Sequence, residues 1–526
     1  MSPRILVLNV LCGLAVLSAF PAPAATAGDD GFKPIFDGKT LAGWDGDPDL
    51  WRVEDEAITG QTTADKPIKL NTFLIWRGGL VDDFELRLEF RIFGGNSGIQ
   101  YRSFEMPQVG KWVVGGYQAD VDAANEWTGA HYAERDRGII APRGDKVVIG
   151  ADHKPKVTGQ VGDRAKLGER VKKEDWNVYR IVARGNRLIH EINGQVMSDT
   201  TDEDKEMRRF SGIVALQLHV GPPMKVQFRK ILLKRLPLEG RKKVVFVAGP
   251  SSHGYGEHEH NAGCALLAKL LNENMPGILA TVYHNGWPKE PTAFDNANAV
   301  VIYSDGGGGQ PIIPHLKEVQ TLTEKGVNLA CLHYAVEVPK GEAGDRFLKW
   351  IGGYFEGFWS VNPFWTAEYK EFSRHPVTRG VRPFAIDDEW YYHMRFAGDM
   401  KDVTPILTAV PPDATRERPD GFHSGNQHVR ARKGMPEHTA WAFERPDGGR
   451  GFGFTGGHIH WNWANDDYRK IVLNAVAWVA GLEVPADGVP SKTPTFEQLE
   501  AGLDKPQPKD FDRNSISKLL DRWRSR

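Results

Sequence analysis

At 526 residues the chain exceeds what one hydrophobic core supports, so two or three domains are expected. Lys and Arg total 66 against 68 Asp and Glu, a formal net charge of −2. A balance that close excludes partners selected by bulk charge, nucleic acid and anionic membrane surfaces among them.

Residues 1–27 read as a signal peptide. Arg4 precedes an apolar run from Ile5 to Phe20, and Pro-Ala-Pro-Ala-Ala-Thr-Ala-Gly supplies an Ala-x-Ala cleavage site at Ala25–Ala27. The alternative is an uncleaved anchor, for which the run is short. Cys12 leaves with the leader, and Leu11 before it spoils a lipoprotein box. Cys264 and Cys331 sit in apolar contexts and are expected as buried free thiols. No other stretch approaches spanning length. A mature protein without a transmembrane segment is therefore expected, periplasmic or secreted.

Residues 32–236 read as β. Alternating runs recur at Phe84–Phe93, Ser97–Arg102, Gly116–Asp122, Trp176–Ala183, Arg187–Ile192, Ile213–His219 and Lys225–Leu233, parted by turns such as Gly94-Gly95-Asn96 and Asn193-Gly194. Strands at this spacing predict a two-sheet sandwich or jelly roll. From residue 242 to 485 the grammar changes. Apolar strands at Val244–Ala248, Ala299–Tyr303, Val327–Leu332 and Gly451–Thr455 alternate with helices around Leu266–Leu271, His315–Lys325 and Asp467–Ala480, which predicts a doubly wound α/β sheet. Residues 486–526 form a Pro-rich linker and a helix-prone tail.

In the first module alternation sorts polar residues by face. Gln118, Asp120 and Asp122 share one face, as do Gln100 and Arg102, and Gln217 and His219. Amides, aspartates, arginine and histidine on neighbouring strands suit a sugar-binding concave face better than the Lys, Glu and Thr of a solvated one. The segment Gly129–Gly138, with His131, Tyr132, Glu134 and Arg137, is placed to lean over that face. The opening Ile-Phe-Asp-Gly-Lys-Thr-Leu-Ala-Gly-Trp (35–44), Asn-Ser-Gly-Ile-Gln-Tyr-Arg (96–102), Asp-Trp-Asn (175–177), Ile-Asn-Gly (192–194) and Leu-Gln-Leu-His followed by Val-Gln-Phe-Arg-Lys-Ile (226–231) resemble the 3-keto-disaccharide hydrolase domain family. Ala130-His131-Tyr132 with Ala133 departs from the small-residue pattern of many members.

That resemblance implies a concanavalin-like jelly roll and cleavage of glucosides already oxidised at carbon 3. A ketone there acidifies the hydrogen on carbon 2. A base removes it, an enolate forms, and the glycosidic oxygen leaves carbon 1, so the site needs a base, a donor for the enolate oxygen and an acid. Asp120, Asp122, Glu134 and His219 are the titratable candidates. Gln100, Arg102, Gln118, His131, Tyr132, Arg137 and Gln217 are the candidate substrate contacts. Base and acid are not assigned among them.

In the second module, histidine is concentrated. All but four of the 17 histidines (His131, His153, His190 and His219) lie between His253 and His460. Ser-His-Gly-Tyr-Gly-Glu-His-Glu-His (252–260) follows a predicted strand, where α/β sheets build their sites. His333 follows another, and Gly-His-Ile-His (457–460) a third. Glu389 and His393 are expected on one strand face. His253, His258, His260, Glu389, His393, His458 and His460 are thus candidate ligands for a divalent ion, Zn, Ca or Mn, with metal-free acid/base work as the alternative. No standard zinc spacing is present. Together with Leu-Ala-Cys-Leu-His-Tyr-Ala (329–335) and Val-Leu-Asn-Ala-Val-Ala-Trp-Val-Ala-Gly (472–481), these motifs resemble the trehalose-utilisation, ThuA-like family. The resemblance implies a class I glutamine-amidotransferase-like fold and a part in disaccharide breakdown through 3-keto intermediates. Cys331 lacks the flanking glycines of a nucleophile elbow and is expected to be structural, which leaves His333 as the better catalytic candidate.

The expected product is thus a multidomain chain, an all-β jelly-roll sandwich followed by an α/β glutamine-amidotransferase-like domain, acting on 3-keto-glycosides. The alternative is a non-catalytic carbohydrate-binding jelly roll serving the second domain. No dinucleotide fingerprint is evident, so no nucleotide cofactor is expected and a separate sugar 3-dehydrogenase must act upstream.

Overall fold

A computed structural model describes residues 31–524; the signal-peptide reading falls on residues outside them. In the N-terminal half two sheets pack face to face. One is a seven-stranded antiparallel sheet running Gly138–Ala141, His131–Glu134, Val114–Asp122, Asn96–Glu105, Ile213–Leu218, Thr72–Trp76 and Trp44–Asp45. The other, ten-stranded, is built around Phe84–Phe93, flanked by Asn177–Arg184 and Met224–Arg235. Alternation does the folding. Leu86, Leu88 and Phe90 on one sheet meet Ile99, Tyr101, Ala119 and Val121 on the other, all buried in one core, while the intervening residues face outward. The N-terminal module is an all-β sandwich.

The C-terminal half is a mixed seven-stranded sheet. Five strands, in the order Ile278–Tyr283, Lys242–Ala248, Ala297–Tyr303, Asn328–Leu332 and Arg450–Phe454, are parallel. Glu437–Glu444 and Val403–Ala409 continue it antiparallel. Helices His260–Asn274 and Asp466–Val479 cover one face, and Leu316–Glu324 and Glu342–Trp350 the other, which explains why the central strands are apolar on both sides. A separate ribbon, Phe364–Tyr369 with Phe384–Glu389, stands beside the sheet's C-terminal edge. The tail packs back onto this half: Phe496 stacks on Trp461 at 5.1 Å, and Leu520 is buried.

Where the halves meet, charge is buried and paired. Asp83 accepts from Arg102 at 2.8 Å and also pairs with Arg241, and Asp82 pairs with Lys243 at 3.1 Å. Arg102, expected on the sugar-binding face beside Gln100, belongs to this junction instead. The pairing register of its strand shifts between Gln100 and Phe104, Arg102 takes φ +46, and the bulge turns its side chain to the Asp82 and Gly185 carbonyls.

Candidate functional site

On the seven-stranded sheet a cavity of about 230 Å³ is lined by Asn71, Asn96, Gln118, Asp120, Trp127, Tyr132, Glu134, Ile139 and His219. Cross-strand pairing builds it. Gln100 lies opposite Gln118 and donates to it at 2.5 Å; Gln118 in turn donates to Asp120 at 2.6 Å. Glu134 accepts one amide N–H on each oxygen, from Asn71 at 3.0 Å and from Gln217 at 3.1 Å. Burial, opposed by the Gln118 hydrogen bond and aided by the Asp122 and Glu134 charges, pushes the Asp120 carboxyl up to about 8. One cavity therefore holds a carboxyl that keeps its proton at neutral pH beside a carboxyl cradled by two N–H donors. His219 Nδ1 lies 2.6 Å from the Val220 carbonyl, which can only accept. In the neutral ring that puts the proton on Nδ1 and leaves Nε2 as an acceptor.

Three further expectations for this site are corrected. Asp122 does not face the cavity: its carboxylate accepts the N–H groups of Glu126, Trp127 and Thr128 at 3.0, 2.8 and 2.7 Å, and so fixes the loop that carries Trp127. His131 and Tyr132 are neighbours on a strand and must point oppositely. Tyr132 takes the cavity, while His131 is buried between the sheets against Tyr101 and Thr200, where burial drives its pKa well below the usual value. Arg137 is a clamp, donating to Asp202 at 2.6 Å and Asp204 at 3.4 Å. Asn71, Asn96, Trp127 and Ile139 were not anticipated. Asn96 stands in the quoted Asn-Ser-Gly motif, and that was the one signal available for it.

The second cluster lies at the C-terminal ends of four neighbouring parallel strands. Lys242–Ala248 leads to His258, Ala297–Tyr303 to Asp305, Asn328–Leu332 to His333, and Arg450–Phe454 to His458. Strand Phe384–Glu389 ends on Glu389. His333 occupies the sharp strand-to-helix turn, at φ +55, that an elbow nucleophile would take. Cys331 is buried two residues earlier on the strand, and burial pushes its thiol far up. His258 Nε2 lies 3.0 Å from both His333 Nε2 and His458 Nδ1, and Glu389 Oε2 lies 3.1 Å from His458 Nδ1 and 3.7 Å from His333 Nε2. Donor atoms of these four residues fall within 4.8 Å of one another and could hold a metal ion.

Supporting groups fix this arrangement. Asp305 meets His258 Nδ1 at 2.9 Å, the Thr455 carbonyl meets His333 Nδ1 at 2.9 Å, and Asn362 donates to Glu389 Oε1 at 3.0 Å. Buried Asp388 ties the Glu389 and His458 segments together by accepting from Gly457 N and Glu389 N at 2.9 Å and from Tyr468 Oη at 2.6 Å. Gly457 needs φ +117, and a Cβ there would press on His333. Tyr391, Asp305 and Asp388 were missed, because nothing in their local pattern sets them apart.

Of the other expected ligands, His253 is exposed and lies against His258, with ring centroids 3.7 Å apart and planes tilted by 35°, forming with His258 and Asp305 a second, more open group. His260, His393 and His460 are corrected. His260 starts a helix and meets the Pro250 carbonyl, and His460 meets the Leu499 carbonyl from a 3-10 turn. The strand carrying Glu389 stops there, so His393, at φ +61, turns away to stack on Trp359 at 4.5 Å.

Residues 31–234 match the family described as 3-keto-alpha-glucoside-1,2-lyase-like domain, and residues 243–479 match the family described as trehalose utilisation, ThuA. The chain is a fusion of these two domain families. No curated protein matches it significantly. Among solved structures, a Parabacteroides distasonis protein provisionally named a glycosyl hydrolase is 18% identical, over 39% of this chain and 99% of that one, with a TM-score of 0.27. A ThuA-like protein from Bacteroides uniformis is 16% identical, over 45% of this chain and 91% of that one, with a TM-score of 0.34. A carbohydrate binding module from Bacillus subtilis is 14% identical, over 36% of this chain and 95% of that one, with a TM-score of 0.25.

Proposed function

We propose that the 3-keto-alpha-glucoside-1,2-lyase-like domain of this carbohydrate-active fusion cleaves 3-keto-glycosides, with Asp120 as general acid and Glu134 as general base. The observation that carries the reading is the pairing, in one cavity, of a proton-holding Asp120 with an amide-cradled Glu134. Glu134 takes the hydrogen from carbon 2, whose electron pair moves into the enolate of the 3-ketone. The Tyr132 hydroxyl and the Asn96 amide, both lining the cavity, serve as donors to the enolate oxygen. As the enolate collapses, the bond from carbon 1 to the glycosidic oxygen breaks and Asp120 gives that oxygen its proton. Water then adds its oxygen to carbon 1 as His219 Nε2 accepts its proton, Glu134 returns its proton to carbon 2, and the proton on His219 passes to Asp120 to restore the acid. A separate dehydrogenase supplies the ketone, and a leader ending at Ala27 delivers the enzyme to the periplasm or beyond.

The test uses protein recovered from the periplasm, whose mass should begin after Ala27. With a 3-keto-glucoside it should release the aglycone, and with deuterium on carbon 2 it should do so several-fold more slowly. Cytoplasmic recovery with the leader intact would sink the export claim. An absent isotope effect with turnover intact would replace elimination by direct hydrolysis, and sugar binding without turnover would reduce the domain to a binding module.

A further inference from the structure

The imidazoles of the ThuA-like domain face one another in a way that neutral histidines cannot hold unaided. Asp305 only accepts, so His258 carries its proton on Nδ1 and presents a lone pair at Nε2. The Thr455 carbonyl only accepts, so His333 does the same. These two lone pairs meet at 3.0 Å with no proton between them. Both atoms are buried, so water cannot screen the contact. A positive centre must lie between them. A proton would serve one pair, yet His458 Nδ1 and Glu389 Oε2 converge on the same point, within 4.8 Å of the other two. One cation serves all four.

We propose that His258, His333, His458 and Glu389 hold a divalent transition-metal ion of the zinc class. Three imidazole nitrogens and one carboxylate oxygen suit such an ion, whereas Ca²⁺ demands six to eight oxygens, and the nitrogen-rich set also argues against Mn²⁺. The surroundings follow the pattern of a metal site: a carboxylate and a carbonyl orient two of the ligand histidines, and an amide holds the free oxygen of Glu389. His258 and His333 are kept in left-handed backbone, at φ +48 and +55, where a surrounding structure must over-determine them. Tyr391 Oη, 3.3 Å from both His333 Nε2 and Glu389 Oε2, stands beside the ion as a hydroxyl donor. The cluster opens to solvent where His253, Glu257 and the Phe364 ring are exposed, the side from which an oxygen ligand would enter. The site is separate from the jelly-roll cavity and does not depend on the reaction proposed there.

The full-length mature protein is stripped with a chelator and titrated with Co²⁺ and then Zn²⁺. Calorimetry should give one ion per chain, Co²⁺ should develop visible d–d absorption that Zn²⁺ abolishes, and thermal unfolding should move upward with metal. His333→Gln and Glu389→Gln should each weaken binding by about 100-fold or more, and His253→Gln should leave it within a few-fold. Because His333 is buried and its variant can misfold, the wild-type titration decides first: no stoichiometric binding there overturns the proposal. Binding that survives Glu389→Gln but is lost in His253→Gln also overturns it, by moving the ion to the His253, His258 and Asp305 group. None of these readings uses turnover, so failure here leaves the 3-keto-glycoside reading standing, and the reverse.

Discussion

The jelly-roll cavity and the ThuA-like cluster solve one problem, holding ionisable groups out of water, by opposite means. The first sets its groups on strands. Gln100, Gln118 and Asp120 form one hydrogen-bonded row across two adjacent strands, and amides supply the hydrogen bonds to both carboxyls, with Arg135 standing 3.9 Å from Glu134. The second sets its three histidines on loops that leave parallel strands, brings Glu389 from the end of the separate ribbon, and anchors them through partners far away in sequence, such as Thr455 for His333. Strand-borne groups are tuned by burial. Loop-borne groups converge, and convergence is what a cation requires. The proton transfer proposed for the first and the metal binding proposed for the second thus draw on two different kinds of scaffolding.

The largest effect should come from removing the proton that burial keeps on Asp120. Asp120→Asn should lower aglycone release by about 10²- to 10⁴-fold, the range for general acid catalysis. The wild-type rate should fall as pH rises through about 8, where that carboxyl ionises. Stability should follow the same group. Its folded pKa lies above the ordinary 3.8, so the folded state binds the proton more tightly. The domain should then lose stability progressively from about pH 4 to about pH 8, and change no further on this account above that. Urea titrations of wild type and Asp120→Asn across that window check it, since the variant should lose the slope. An identical slope in both would show that Asp120 is not the buried acid.

Next in size is Arg102, which tests the difference between a cavity residue and a junction residue. It is fully buried and pairs with Asp83. Arg102→Ala leaves that buried carboxylate with Arg241 and the Gly185 N–H but without its fully buried cation, and should cost about 3–5 kcal/mol. KM for the sugar should not change in the fraction that folds. Full stability with a raised KM would return Arg102 to the cavity.

How far sequence reached depends on the same contrast. Period-two patterning gave Phe84–Phe93 and Arg187–Ile192 to the residue, and it put Gln118, Asp120 and Gln217 on the right face, because a strand's alternation is local. It failed at Arg102, where one bulge reverses the alternation without a local sign. The ribbon Phe364–Tyr369 was invisible because exposed Phe364 adjoins buried Trp365, which blurs the period. In the second domain the histidine-rich segments were evident, but not which imidazoles turn inward. That choice between His258 and His260, or His458 and His460, rests on backbone turns and on carbonyls and carboxylates brought in by the fold.

The smallest effect concerns the tail, which braces one of those loops and has no counterpart at the jelly-roll cavity. Tyr255 donates to Glu500 at 2.6 Å and packs edge-on to Phe511, while Asp504 N donates to Glu259 at 3.0 Å. The loop carrying His258 is therefore held at both ends by the last segment of the chain. Tyr255→Phe removes one hydroxyl and no packing, a loss of about 1 kcal/mol. That amount converts to roughly five-fold faster hydrogen exchange at the Gly256 and His260 amides, whose bonds close the loop. Exchange at strand Val114–Asp122 should not change. Equal protection in variant and wild type at Gly256 and His260 would mean that the tail merely covers the loop without holding it.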